Sequence, residues 1–195
     1  MQIYFATKNE IKYKNVKQLL DSVQPNLVLK NIFSYNVSLP KENGNCEKEN
    51  AVLKSQHYFS ILREPLFCED SGIYFNNHNQ LQPKHEVKKK PQATHQDLFS
   101  FWSAYIAKKQ ISFGKLVKVF SFQFPKSKKV KEFQIPVKFY PTRTKPPQKD
   151  NPFNYLMGPV YASKPFYQLT SKERLKFRKK YLGPIFKQLP FYHLT

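Results

Sequence analysis

The first 75 residues alternate between short apolar runs and longer stretches with helical periodicity. The runs 2–7 and 26–33, and a third that begins at residue 65, have the length and composition of buried strands. The segments between them, 8–23 and 46–62, repeat apolar residues at helical spacing. An order of strand, helix, strand, helix, strand predicts the α/β class, with a mixed central sheet flanked by helices.

The remainder of the chain predicts a further helix and a pair of long strands. Residues 95–109 have an amphipathic helical pattern, whereas 115–124 and 130–140 alternate in the manner of a hairpin. With 195 residues, the chain is long enough for one core, and we expect residues 1–195 to form a single domain.

The last predicted helix covers residues 170–189. A capping box between Thr170 and Glu173 is predicted to open it. Because proline removes a backbone donor and clashes with the preceding turn, a break is predicted near Gly183 and Pro184.

Positive charge is concentrated in the second half of the chain. Lys and Arg number 33 against 13 Asp and Glu, a formal net charge of +20. Residues 1–80 hold 9 of the bases and 8 of the acids, so nearly all of the excess lies in residues 81–195. This asymmetry indicates an anionic partner such as a nucleotide or nucleic acid, although a solubilising coat of lysines gives the same count.

Cysteine content and hydropathy bear on the compartment. Cys46 and Cys68 are too few for a disulfide framework and lack the spacing of a zinc site. No apolar stretch approaches the ~20 residues of a membrane span, and the N-terminal residues lack the layout of a signal peptide. We therefore expect reduced thiols, a cytoplasmic location and no membrane association.

Two segments are predicted to lie beyond the carboxyl ends of strands, where open α/β sheets bind their ligands. In "ATKNEIK", Thr7, Asn9 and the backbone N–H groups of a helix start suit an anionic ligand, and Lys12 adds a full charge. In "CEDSG", Glu69 and Asp70 follow the third strand. Successive residues of an extended segment face opposite sides, so these two are not expected to form a carboxylate pair.

Glu49, at the start of the second predicted helix, is the better partner for one of these acids. Two carboxylates from separate elements, set beside lysines, suggest a Mg²⁺ ion held by few protein ligands together with a phosphate chain. In the alternative interpretation, Asp70-Ser71-Gly72 is an ordinary turn and Glu49 a favourable charge in the first turn of a helix.

Three segments, "FATKNEIKYKNVKQLL", "ENGNCEKENAVLKS" and "PLFCEDSGIYF", resemble in order and spacing the inosine triphosphate pyrophosphatase family. Members of that family hydrolyse non-canonical purine nucleoside triphosphates. The family pattern Thr-x-Asn-x-x-Lys is matched by Thr7, Asn9 and Lys12. The second motif is matched by Glu42, Gly44, Glu49, Asn50, Ala51 and Lys54. The third is matched by Glu69, Asp70, Ser71, Gly72 and, conservatively, Ile73.

The resemblance implies a Mg²⁺-dependent reaction in which water attacks the α-phosphorus and releases pyrophosphate and a nucleoside monophosphate. Glu49 and Asp70 would bind the metal, with Asp70 also the base that activates water. Glu69 is expected to face the other way and to support the structure. The family usually forms homodimers, so a homodimer is implied as well.

The resemblance also assigns residues to the substrate. In the first half, residues 1–75, the residues assigned to the triphosphate and its surroundings are Thr7, Lys8, Asn9, Lys12, Lys54 and Ser71. In the second half, residues 76–195, the family's base-binding motifs are only partly matched: "PFNYLMGP" keeps two aromatic residues but has Leu156 in place of an aspartate, and a Ser-His-Arg motif falls on Arg178, Lys179 and Lys180. Base binding is accordingly assigned to Phe153, Tyr155, Arg174, Lys179 and Lys180.

Two classes of function follow. The first is a nucleoside triphosphate pyrophosphatase with altered base preference, since the phosphate and metal motifs are retained. The second is a diverged, non-catalytic protein of the same fold that binds nucleotide or nucleic acid through its basic half. For the enzyme, weak nucleic-acid binding is expected as a by-product of net charge.

Overall fold

The structure, a computed structural model, describes residues 2–75, 94–140, 142 and 151–187. The chain divides into two compact units. The first unit comprises Met1–Ser71, Lys118–Phe133 and Leu175–Thr195. The second unit comprises Gly72–Val117 and Gln134–Arg174.

Strands and helices alternate at the start of the chain, in the order β1 (Gln2–Phe5), α1 (Glu10–Val23), β2 (Val28–Lys30), α2 (Glu47–Leu62) and β3 (Leu66–Phe75). The described residues that follow form α3 (His95–Lys108), β4 (Phe113–Phe124), β5 (Ser127–Phe139), α4 (Phe153–Leu156), β6 (Met157–Pro159), a 3₁₀ turn (Phe166–Gln168) and α5 (Ser171–Lys187). The sequence also predicts a basic loop over residues 76–91, which lies outside the described residues.

The six strands form one sheet in the order β2-β1-β3-β4-β5-β6. β1 pairs in parallel with both β2 and β3, whereas β5 and β6 are antiparallel. The sheet is therefore mixed, and the predicted α/β class is confirmed. In the described part of the chain, no helix combines the length and the apolar character needed to cross a membrane.

Phe67, which is fully buried, organises the core of the first unit. Its ring stacks on Phe5 at 4.7 Å and lies 5.3 Å from Phe122 and 5.7 Å from Phe186, measured between ring centroids. Large aromatic side chains contribute strongly to core energetics because each buries much apolar area. The cluster fixes the start of β3 against β1, which positions the acidic residues two and three places further along β3.

The second unit has its own aromatic core. The ring of Phe75 lies 5.0 Å from that of Phe139 and 5.7 Å from that of the fully buried Trp102. β3 thus ends in a side chain that is packed within this unit.

β3 extends further than the sequence indicates. Glu69 and Asp70 were expected to follow the strand, and the alternative interpretation made Asp70-Ser71-Gly72 a turn, but β3 continues through these residues to Phe75. The physical reason is that Ile73 and Phe75 are buried, and the extended backbone carries them into the core. The two acids therefore lie within a strand.

The capping box of α5 is confirmed, and the predicted helix break is wrong. Thr170 Oγ1 accepts from the backbone N–H of Glu173 at 3.2 Å, and Glu173 Oε2 accepts from the N–H of Thr170 at 2.7 Å. The helix nevertheless runs to Lys187 with Pro184 inside it. Ile185 and Phe186, which follow the proline, are buried, so tertiary packing outweighs the local cost of the proline.

We expect Gly114→Ala to lower the free energy of unfolding by more than about 2 kcal/mol, because the added methyl group overpacks a strand contact. A Cβ atom on Gly114 would clash with the backbone oxygen of Tyr74 and lie 2.8 Å from a ring carbon of Phe139. Denaturant unfolding measures the change.

Gly183→Ala is the matched control, with the opposite expected sign. Its Cβ would meet only Val23 Cγ1, at an ordinary 3.8 Å, within helix α5. Alanine should raise the free energy of unfolding by about 0.5–1 kcal/mol through helix propensity. Equal effects of the two substitutions would contradict the packing described for β4.

Candidate functional site

The turn between β1 and α1 is held by side-chain caps. Thr7 Oγ1 accepts from the backbone N–H of Asn9 at 3.1 Å, and Asn9 Oδ1 accepts from the N–H of Lys12 at 2.9 Å. Asn9 is therefore the N-cap of α1. The caps fix the first turn of the helix, whose N-terminal end favours negative charge, and Lys12 extends from that turn.

Lys8 ties this turn to the segment that follows β2. Its Nζ donates to the backbone oxygens of Ile32 at 3.1 Å and Tyr35 at 2.7 Å. The hydrogen bonds hold the ammonium group of Lys8 in a defined place while its positive charge remains beside the turn.

Glu69 lies between two lysines from different elements. Its Oε2 is 2.9 Å from Lys12 Nζ on α1, and its Oε1 is 2.8 Å from Lys118 Nζ on β4. Only 2% of the Glu69 side chain is exposed. Burial by itself would raise the pKa of this carboxyl, but the two ammonium groups outweigh it and hold the pKa well below its usual range.

Asp70, the next residue, has different partners. Its Oδ1 is 3.0 Å from Nζ of Lys54 on α2, and the same Nζ lies 3.3 Å from Glu42 Oε1. Burial disfavours the charged form of Lys54, but the carboxylates of Asp70 and Glu42 outweigh it and raise the pKa of the ammonium. Lys54 therefore stays protonated throughout the physiological range and bridges the two acids.

The loop before α2 folds back onto the first turn of that helix. Glu49 Oε2 accepts from the N–H of Asn45 at 2.6 Å, and Asn50 Oδ1 accepts from the N–H of Gly44 at 2.9 Å. A Cβ on Gly44 would come within 2.7 Å of the Cβ of Glu49, so only glycine permits this approach. The loop thereby fixes Glu49, one of the two predicted metal ligands.

The donor chemistry of these acids fits a hard divalent cation. Asp70, Glu49 and Glu42 offer carboxylate oxygens, which Mg²⁺ prefers. Within the described ranges, no group of three or more His, Cys, Asp or Glu side chains is arranged to hold a metal by itself.

Three of the predicted base-binding residues belong to the second unit. The ring of Tyr155 stacks on that of Tyr167 at 4.2 Å, and the ring of Phe153 lies 6.2 Å from that of Trp102. The guanidinium group of Arg174 donates to the backbone oxygens of Leu169 and Tyr167, at 3.0 and 3.3 Å. These side chains are thus packed or hydrogen-bonded within their own unit.

The other two predicted base-binding residues, Lys179 and Lys180, are exposed on α5 in the first unit. Lys180 Nζ lies 5.3 Å from the centre of the neighbouring Tyr181 ring. Ser71, assigned to the substrate in the first half, is half-buried at the last position of β3 in the first unit. The first unit therefore holds every residue assigned to phosphate and metal.

Sequence reasoning gave no role to Lys118 or to the side chain of Glu42. Lys118 carried a usable signal, since a lysine stands in the middle of an otherwise buried run of β4. A charge in such a position requires a partner. For Glu42, its place in the second motif was the only signal.

The match to a family model is confined to the first half of the chain. Residues 3–92 match the model of the Ham1 family. The dITP/XTP pyrophosphatase of Borrelia garinii subsp. bavariensis is 41% identical over 73 residues, which are 36% of this chain and 34% of that protein. The match therefore spans about a third of the relative's length.

Solved structures match over almost the whole chain. The HAM1 protein of Coxiella burnetii has a TM-score of 0.74 at 14% identity, covering 95% of this chain and 96% of that one. The Ham1 protein of Staphylococcus aureus has a TM-score of 0.72 at 15% identity, with 95% and 96% covered. At such identities the likeness establishes the fold, which is the one that the three motifs implied.

The geometry of Glu69 predicts how stability depends on pH. We expect Glu69→Gln to lower the free energy of unfolding at pH 7 by about 1–3 kcal/mol, because the lysines lose a buried, charged acceptor. The folded pKa of Glu69 is depressed below the unfolded value of about 4.3. The contribution of Glu69 is thus complete above the unfolded value, declines as the pH falls below it, and is lost as the pH falls through the depressed folded pKa.

Denaturant unfolding in the presence of EDTA, from neutral to acidic pH, measures this dependence. The difference between the wild-type protein and Glu69→Gln should shrink below about pH 4. The control, Glu10→Gln, removes an exposed ion pair with Lys14 and should change stability by less than about 0.5 kcal/mol. A Glu69→Gln effect that is the same at every pH would contradict the assignment.

Proposed function

We propose that the chain, whose first half is similar to the Ham1 family, hydrolyses a nucleoside triphosphate to a nucleoside monophosphate and pyrophosphate. The observation that carries the proposal is the Lys54 bridge between Asp70 and Glu42, in the same unit as the capped turn of α1. Carboxylates for a cation and lysines for phosphates are the two requirements of this chemistry.

The triphosphate would bind through positive groups of the first unit. Lys12 and Lys54 supply full charges, and the start of α1, shaped by Asn9 and Thr7, supplies backbone N–H groups. Lys8 adds charge next to the turn, and Ser71 adds a hydroxyl group next to Asp70. Binding of this kind holds the phosphate chain in place and offsets the charge that develops on it during the reaction.

Mg²⁺ would be held by Glu49 and Asp70 and would neutralise charge on the phosphates. Asp70 would also take a proton from the attacking water. The water oxygen forms a bond to the α-phosphorus, the bond from that phosphorus to its bridging oxygen breaks, and pyrophosphate leaves with that oxygen. Lys54, at 3.0 Å from Asp70, fixes the orientation of the carboxylate for this task.

The substrate that we propose is a non-canonical purine nucleoside triphosphate, with base selection altered relative to the family. The named relative is a dITP/XTP pyrophosphatase, and its similarity covers 73 residues, 36% of this chain. Base contacts would come from Phe153, Tyr155, Arg174, Lys179 and Lys180, which keep the family's aromatic residues and replace its hydrogen-bonding ones. The resemblance is also the ground for proposing a homodimer, whereas the cytoplasmic location expected from the sequence stays a prediction.

A panel of triphosphates with Mg²⁺, assayed for pyrophosphate release, tests the proposal, and Asp70→Asn tests the site. We expect Asp70→Asn to lower kcat by at least about a hundredfold, the size of a general-base contribution, while the fold is retained. Asp21→Asn is the control, since it removes only an exposed ion pair with Lys17. Near-normal turnover of Asp70→Asn would overturn the assignment of this residue.

The positive charge of the second half supports a second candidate function, the binding of nucleic acid at the protein surface. Lys176, Lys179 and Lys180 are exposed on α5, and residues 175–187 contain no acid. Like charges one turn apart on a helix repel each other, which an anionic partner would relieve. We propose such binding as weak and non-specific, secondary to the nucleotide site.

Salt dependence separates the two candidates. Oligonucleotide binding through several lysines should weaken on the order of a thousandfold between low and moderate salt, because condensed counterions are released. Triphosphate binding should change much less and should depend on Mg²⁺. Titration of a labelled oligonucleotide and a labelled triphosphate across a salt series measures both. Tight oligonucleotide binding at physiological salt without triphosphate binding would favour nucleic-acid binding over the enzyme.

A further inference from the structure

Lys118 occupies a position in β4 where a lysine needs an explanation. Val117 and Val119 on either side of it are buried, and the strand remains buried from there to Phe124. Its Nζ lies 2.8 Å from Glu69 Oε1, with 23% of the side chain exposed. A charged group in such a strand is tolerated because it is paired.

Glu69 already has a partner in Lys12, at 2.9 Å. One buried carboxylate is therefore matched by two ammonium groups, and the three side chains together carry one net positive charge. If Lys12 were the only partner, its charge would be committed to Glu69, and drawing it towards an anion would leave a buried carboxylate unpaired. An unpaired charge in the interior is strongly destabilising.

We propose that Lys118 is a positioning residue for the phosphate site: it holds the charge of Glu69 so that Lys12 is available to a polyphosphate. The inference rests on the proposed function and adds to it a residue that none of the three motifs contains. Lys118 makes no contact with the substrate in this account, and it acts through Glu69 on Lys12.

The alternative is that Lys118 only compensates Glu69 for the sake of the fold. The two roles differ in what they do to binding. Compensation for the fold alone predicts that removing Lys118 lowers stability and leaves the affinity of the folded protein unchanged. A role in releasing Lys12 predicts that affinity falls in protein that is still folded, and that removing Glu69 as well restores it.

The experiment compares Lys118→Met, Lys118→Arg and the double variant Glu69→Gln/Lys118→Met with the wild-type protein. Affinity for inorganic tripolyphosphate is measured by calorimetry, KM and kcat by pyrophosphate release, and folding by circular dichroism. We expect Lys118→Met to weaken tripolyphosphate binding and to raise KM by about tenfold, a size typical of coupling between close charges. kcat should change by less than about threefold, because the reacting groups are untouched.

Lys118→Arg should bind nearly as the wild type does, since the charge is kept. The double variant should recover most of the lost affinity, because no buried carboxylate then competes for Lys12. Lys115→Met is the matched control: this lysine precedes Lys118 by three positions on the same strand, contacts Gln134 and the Tyr74 ring, and should have no effect on binding.

Unchanged affinity in folded Lys118→Met, or no recovery in the double variant, would overturn the inference. These outcomes are distinct from a failure of the proposed function, because tripolyphosphate binding requires no hydrolysis. A wild-type protein that binds tripolyphosphate with the predicted pattern but hydrolyses no nucleotide would refute the enzyme and keep the role of Lys118. A protein that hydrolyses a nucleoside triphosphate but whose KM is unchanged in folded Lys118→Met would keep the enzyme and overturn the role of Lys118.

Discussion

Two adjacent carboxylates within one buried strand are the constraint on which the first unit depends. Glu69 and Asp70 are 6% and 4% exposed, and each needs positive charge close by to remain in the interior. Glu69 meets Lys12 and Lys118, and Asp70 meets Lys54. These three lysines come from α1, β4 and α2, so the ion pairs connect β3 to both helices that carry residues of the proposed phosphate and metal site.

The same pairs prepare the chemistry that we propose. Lys12 and Lys54, which pair with these buried acids, are also cations beside the proposed phosphate site. Asp70 and Glu42 bring oxygen ligands to a protein that is otherwise strongly basic. Breaking a buried pair costs more than forming it contributes. The arrangement is therefore sensitive to substitution at any of its members.

The sequence predicted the elements of the first 62 residues and the α/β class, because local periodicity and turn residues determine them. It did not predict that β3 continues through Asp70 to Phe75, since that follows from the burial of Phe75 beside Trp102 and Phe139 in the second unit. It also missed the continuation of α5 past Pro184 for the same kind of reason. In both cases, packing between residues that are distant in the chain outweighs the preference of the local sequence.

The sequence predicts those residues of the candidate site that belong to recognisable motifs. Thr7, Asn9, Lys12, Glu49, Lys54 and Asp70 stand in patterns that can be recognised from the sequence. Lys118 could not be paired with Glu69 in advance, because 49 positions separate them and only the sheet order brings β3 and β4 together. The side-chain environments of Tyr155 and Arg174 likewise depend on the fold of the second unit.

Hydrolysis in ¹⁸O-labelled water, followed by mass spectrometry of the products, tests the central claim most directly. Attack by water on the α-phosphorus places the label on the nucleoside monophosphate and leaves the pyrophosphate unlabelled. The account predicts this distribution of label for whichever triphosphate the protein hydrolyses. It also predicts that the labelled nucleoside monophosphate is no longer formed by Asp70→Asn. Label in released orthophosphate, or no product from any triphosphate in the presence of Mg²⁺, would contradict it.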